Sequence, residues 1–253
     1  MDAYPEKYQP HSDTYLEPFC INAVIPLLLV RFQLYRHNLN SHTSYEERAE
    51  ALDRCVFVAL ETVRYFSRTM QTPSPVGDPS EYATKSWRDL LLASTNNTTC
   101  RHVWRCTLML CFRGEYNAAL TCLRVLKTID KHRKLNIAGG RNLSFFLDKL
   151  IERLRSSTSP QNDVDSDFEL LAYATGDLQA DINNGFAWTR SESPHPSSTG
   201  LPPNEFTAPS VPFADEDLPA TSLLTEKEVN DWGGWERVER QIGILVEEQQ
   251  KQV

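Results

Sequence analysis

Apolar and polar residues follow a helical period along most of this chain, lose it once, and recover it near the end. Over residues 19–156 apolar positions recur three and four apart, the spacing of one buried helix face. Residues 157–222 lack that period, and it returns over residues 223–253. Strand-like alternation is weak throughout. The pattern predicts an all-α fold: an irregular helical bundle, a long acidic segment without a core, and a C-terminal helix that docks.

Residues 1–14 read as an irregular leader, and the helical domain spans 15–156. Its first helix covers 19–38, with Pro26 near a bend or start. Ser44 and Glu47 form a capping box for a second helix that runs to about Met70. Ala49, Leu52, Val56, Ala59, Leu60 and Val63 mark its buried face. The stretch 72–80, rich in Pro and Ser, breaks the pattern. A short helix is expected over 84–93. The next, over 99–112, is apolar on most sides from Cys106 to Phe112, which predicts a central position. Trp104 is read as a core residue, worth about 3–5 kcal/mol if fully buried.

Gly114 ends that helix. Helix 115–131 follows, with Tyr116, Ala119, Leu120, Leu123, Leu126 and Ile129 on one stripe. Gly139 and Gly140 predict a turn before a helix over 142–155. At the far end, Leu224–Val229 reads as a helix start, with Thr225 and Glu228 as a second capping box. Gly233 and Gly234 weaken that helix in its middle. Trp232, Trp235, Val238, Ile242 and Leu245 form an apolar stripe. A lone helix of this length is marginal, so the stripe is expected to dock on the bundle or on a partner.

Composition changes the picture for 157–222, which is rich in Ser, Thr, Pro, Asn and Asp. It cannot bury enough apolar surface to offset its ordering entropy, so it is expected to be mostly disordered. Within it, residues 165–188 interleave acids with Phe168, Leu171, Tyr173, Phe186 and Trp188. Disordered activation segments have this composition, because acids keep the aromatic side chains available to a coactivator groove. An ordinary acidic linker with a stray helix has it too.

The net charge of −8 divides unevenly: −3 over residues 1–97, +8 over 98–156, −10 over 157–222 and −3 over 223–253. The basic helices and the acidic segment are therefore placed to attract one another, within the limits of screening.

Candidate chemistry is sparse. The cysteines in the helical block are spaced Cys100-x5-Cys106-x4-Cys111-x10-Cys122, with none of the close pairs that structural zinc sites use. They read as reduced core thiols. His102 and Cys106 share a helix face, but two ligands do not make a site. No His–Cys pair sits in a nucleophile motif. A deep polar pocket holding a Cys–His contact among residues 100–132 would argue for catalysis. The alternating Asp163, Asp165 and Asp167 lack the Gly and the terminal Glu of a calcium loop. No catalytic residue, cofactor or metal is assigned. The longest apolar run, Phe19–Val30, contains Asn22 and Pro26 and reads as too short to span a bilayer. No membrane partner is expected.

The stretches HVWRCTLMLCFRGEYNAALTCLRV and NIAGGRNLSFFLDKLIERL resemble the C-terminal part of the regulatory region of fungal zinc-cluster (Zn2Cys6) transcription factors. RFQLYRHNLNS, ERAEALDRCVFVALETVRYF and DWGGWERVERQIGIL are similar to it as well. The resemblance implies a nuclear regulator of RNA polymerase II transcription. Its partners would be proteins such as a coactivator or a second copy, with DNA reached only through a zinc-cluster module that this chain lacks. Zinc is expected only in that missing N-terminal module. The other expectation is a stand-alone helical co-regulator or inhibitor of a full-length relative.

Overall fold

The computed structural model describes residues 9, 11–40, 43–71, 86–156, 167–175 and 232–251. Among them are eight α-helices and no strand, so the fold is all-α. The helices are α1 (Ile21–Arg36), α2 (Tyr45–Thr69), α3 (Trp87–Ser94), α4 (Asn97–Phe112), α5 (Tyr116–Ile129), α6 (Lys134–Ser156), α7 (Phe168–Thr175) and α8 (Gly234–Gln250).

Helix α4 is the centre, because its sequence leaves it almost no polar face. Val103, Cys106 and Leu108–Phe112 are all sealed from solvent. It packs against α1, α2, α5, α6 and α7. The Asn96 side chain starts it by accepting the Thr99 amide at 2.9 Å. The capping box expected at α2 is present. Ser44 Oγ accepts from the Glu47 amide, and Glu47 Oε2 accepts from the Ser44 amide, both at 3.3 Å.

The junction of α5 and α6 is tighter than its sequence suggests. Asp130 is the one non-glycine residue with positive φ among the described residues, at 40°. Asn136 holds this kink, donating from Nδ2 to the carbonyls of Leu126 at 2.9 Å and Asp130 at 3.0 Å. Two carbonyls at the end of α5 thereby gain partners.

Five expectations need correction. The pair Gly139–Gly140 is no turn; both lie inside α6, which begins at Lys134. A Cβ on Gly139 would stand 3.2 Å from the Trp104 ring, and one on Gly140 only 2.5 Å from Trp232 Cη2. These glycines serve close packing, which outweighs their low helix propensity.

Among the described residues, Gly233 and Gly234 mark the start of α8 and not the middle of a helix. Their φ values of 83° and 69° are left-handed, which suits glycine at a helix boundary. The capping box at Thr225 and Glu228 lies outside the described residues.

The third correction is narrow: within residues 157–222, read as a segment without a core of its own, Phe168–Thr175 form α7, and Leu170–Thr175 are all buried. The run Leu170–Ala174 has no polar side to turn outward except the Tyr173 hydroxyl, so it needs cover all round. The rest of that stretch, Phe186 and Trp188 included, lies outside the described residues.

Trp104 is half-buried rather than fully buried. Finally, the segment Pro18–Arg36 is 19 residues long with a mean hydropathy of 1.5, long and apolar enough by length and composition to cross a bilayer. Here Ile21, Val24, Ile25, Leu28 and Phe32 are buried in the bundle, and α1 packs against α2 and α4. Pro26 sits inside α1 on its exposed side. Its ring removes the amide that would have bonded the carbonyl four residues back, a local cost to α1.

Candidate interaction surface

Helix α7 is held by charge at one end and by aromatic packing along its length. Asp167 caps it: Oδ1 accepts the amides of Glu169 and Leu170 at 3.0 and 3.1 Å. The other oxygen of Asp167 takes Arg153 Nε at 3.0 Å, and Arg153 Nη2 reaches Glu169 Oε2 at 2.9 Å. One guanidinium therefore grips two carboxylates. Tyr173 stacks flat on Phe146, with centroids 5.6 Å apart and planes 2° from parallel, and its hydroxyl donates to the Asn142 carbonyl at 2.9 Å. Phe168 stays 49% exposed, under the Arg48 guanidinium at 4.6 Å. At the C-terminal end, Arg36 Nη1 donates to the Thr175 carbonyl at 2.8 Å.

Helix α8 lies across α5 and α6. All five expected docking residues, Trp232, Trp235, Val238, Ile242 and Leu245, are buried on the bundle. Each contributes roughly 2 kcal/mol of apolar burial. Gln241 fixes the register: Nε2 donates to the Ser144 carbonyl at 3.0 Å and to Asp148 Oδ1 at 2.6 Å, while Ser144 Oγ donates to Gln241 Oε1 at 3.2 Å. Around the edge run Lys127–Glu239 at 2.6 Å, Arg237–Asp148 at 2.7 Å and Arg155–Glu248 at 3.0 Å. Acids of α7 and α8 thus neutralise part of the +8 carried by residues 98–156.

A Cys–His contact exists, but it is sealed. Cys106 Sγ lies 3.5 Å from His102 Nε2 and 3.7 Å from Thr62 Oγ1. His102 Nε2 is 2.8 Å from Thr62 Oγ1, which itself donates to the Val58 carbonyl at 2.9 Å. That last bond uses the threonine proton, so the network assigns the Nε2–H tautomer to His102. All three side chains are completely buried. Burial pulls the imidazole down to about 3, helped by the Arg105 charge, and pushes the Cys106 thiol up to about 12. Both groups are neutral near pH 7, and the thiolate–imidazolium pair that nucleophilic catalysis uses is strongly disfavoured. The cluster acts as a polar clasp between α2 and α4.

The outer face of α1 is apolar as well as its inner one. Ala23, Leu27, Val30 and Leu34 form an exposed stripe, with Leu27 66% and Leu34 63% accessible. Phe57 of α2, 47% exposed, carries the Arg31 guanidinium 6.0 Å above its ring. Arg31 also meets the buried Glu61 at 2.6 Å. The apolar helix expected over 19–38 carries this second stripe, which was not set apart there as a surface. Solvent-facing apolar positions at helical spacing were the signal. Among the described residues, no three of His, Cys, Asp and Glu gather into a group that could hold a metal ion.

Comparison with known proteins finds no matching family model, no matching curated protein and no matching solved structure.

Proposed function

We propose that this chain is the regulatory and transactivation portion of a fungal zinc-cluster-type RNA polymerase II transcription factor, acting through interaction and not through catalysis. The bundle holds α7, the helical start of the acidic aromatic segment, and regulation consists of letting it go. The observation that carries this reading is the hold itself: Leu171 and Tyr173 are buried while Arg153 grips Asp167 and Glu169. Apolar contacts hold the helix, and the exposed ion pairs make that hold sensitive to salt and to a competing charge. Release would expose Leu171 and Tyr173 beside acids, the chemistry that a coactivator groove takes. The resemblance of the helical stretches to the regulatory region of such factors points the same way, and with it a nuclear location.

The test fuses the full chain to an unrelated DNA-binding module and reads a reporter gene. Arg153→Glu is expected to raise reporter output several-fold, and adding Leu171→Ala with Tyr173→Ala is expected to remove the gain. An output unchanged by all three substitutions overturns the reading. The stand-alone alternative, a co-regulator that binds a relative, is favoured by one observation, the exposed stripe of Leu27, Val30 and Leu34 beside Phe57. In that case Leu34→Glu abolishes co-purification with the relative while Arg153→Glu leaves it intact.

A further inference from the structure

Three arginines converge where α7 ends. Arg101 and Arg105 stand one turn apart on α4, and Arg36 is the last residue of α1. Arg36 and Arg101 both act electrostatically on Arg105. Among the described residues, none of the three forms an ion pair with a carboxylate, and Glu61, the buried acid of α2, is already taken by Arg31. Arg36 reaches a carbonyl, that of Thr175. Arg105 is the sharper case. Its Nε and Nη1 are buried and have no hydrogen-bond partner.

A guanidinium with two buried, unmet donors, within electrostatic reach of two further cations, is costly unless an anion completes it. The cost shows in the group itself: burial, then Arg36 and Arg101, pull the Arg105 guanidinium down to about 10. Only Cys106, a neutral thiol at pH 7, acts the other way.

We propose that Arg36, Arg101 and Arg105 form a binding site for a doubly charged oxyanion of the phosphate class. Three cations suit a dianion better than a single carboxylate, and planar guanidinium forks match the oxygens of phosphate. The site lies beside the last carbonyl of α7, so an anion there would occupy the junction between α1, α4 and α7. Free phosphate and a phosphoester present the same recognising chemistry, and the experiment separates them.

Thermal unfolding of the full chain is followed while inorganic phosphate is titrated, with sodium chloride at matched ionic strength as control and O-phosphoserine as a second probe. Phosphate is expected to raise Tm well beyond the chloride control. Arg105→Met is expected to fold, because it removes an uncompensated cation, and to lose the response. Arg101→Gln, a change at a half-buried position that keeps most of the aliphatic stem, is expected to weaken the apparent phosphate affinity about tenfold. Saturation at lower concentration by inorganic phosphate assigns free phosphate, and saturation at lower concentration by phosphoserine assigns a phosphoester; either upholds the site. The proposal is overturned if chloride reproduces the shift, if neither probe acts, or if both variants respond like the parent.

Discussion

Gly140 and Trp232 share one volume: the indole closes on α6 so tightly that a methyl group on Gly140 would stand 2.5 Å from Cη2. That ring is wedged between α6 and Trp235, whose own ring meets it edge-on at 5.2 Å. It has nowhere to retreat. Gly140→Ala is therefore expected to destabilise by about 1–3 kcal/mol, despite the better helix propensity of alanine. Urea unfolding measures it. In a Trp232→Leu background the same substitution should cost much less, because the two residues are coupled.

Trp104 meets Gly139 at a gentler distance, 3.2 Å, and is half-buried. Its Nε1 is buried without a partner, so part of its packing gain is lost already. Trp104→Ala is expected to cost about 2 kcal/mol, below the range for a sealed tryptophan. Trp104→Phe, which removes the unmet donor and keeps most of the contact, should come close to neutral in the same unfolding assay.

Gln241 fills the seam between α6 and α8 with three hydrogen bonds to Ser144 and Asp148. Gln241→Leu leaves the buried Ser144 hydroxyl without its acceptor. A loss of about 1–3 kcal/mol is expected. Limited proteolysis near α8 should accelerate with it, while Arg237→Ala, which breaks an exposed ion pair to the same Asp148, should change little.

His102 makes stability fall in acid. Its folded-state value is lowered to about 3, mainly by burial, against 6.5 for a free imidazole. The unfolded chain therefore binds a proton first. The stabilising contribution is whole above pH 6.5 and is lost as pH falls toward 3. The slope is up to about 1.4 kcal/mol per pH unit. Urea unfolding between pH 6.5 and 4 should be steeper for the parent than for His102→Gln by that amount. Equal slopes would place a protonatable, solvent-reached imidazole there instead.

The thiols act at the other end of the scale. Burial raises Cys100 to about 11 and Cys55 and Cys106 to about 12, and pushes Cys111 and Cys122 up as well, from 9.0. A raised folded-state value means that stability is intact below pH 9 and declines as pH rises above it, by up to about 1.4 kcal/mol per pH unit for each thiol. Alkylation at pH 8 should modify the half-buried Cys20 first and leave the other five until unfolding. Rapid labelling of Cys106 in native protein would contradict the sealed clasp.

The helices of residues 21–156 were legible because their apolar period is nearly continuous. The capping signal at Ser44 and Glu47 fixed one boundary to the residue. What misled was glycine. Gly139 and Gly140 carry the composition of a turn, and only two distant tryptophans make a helix there preferable. Sequence spacing contains no record of Trp232 arriving on α6. Helix α7 escaped for a related reason. Its eight residues are too few to form a helix alone, and Tyr173 and Arg153 supply the support from elsewhere. The stripe of Trp232, Trp235, Val238, Ile242 and Leu245 was plain, since its 3, 3, 4, 3 spacing is that of one helix face. The arginine cluster was not: Arg36 and Arg105 lie far apart along the chain, and each alone reads as ordinary surface charge.

The seat on α6 for Trp232 also sets an order of events during synthesis. Gly140 leaves the ribosome long before the residue that covers it. Until then the nascent bundle carries a bare greasy trough along α5 and α6, a surface that chaperones recognise and neighbouring chains can stick to. Maturation of this protein thus waits for α8, which is made well after α5 and α6, the helices it covers.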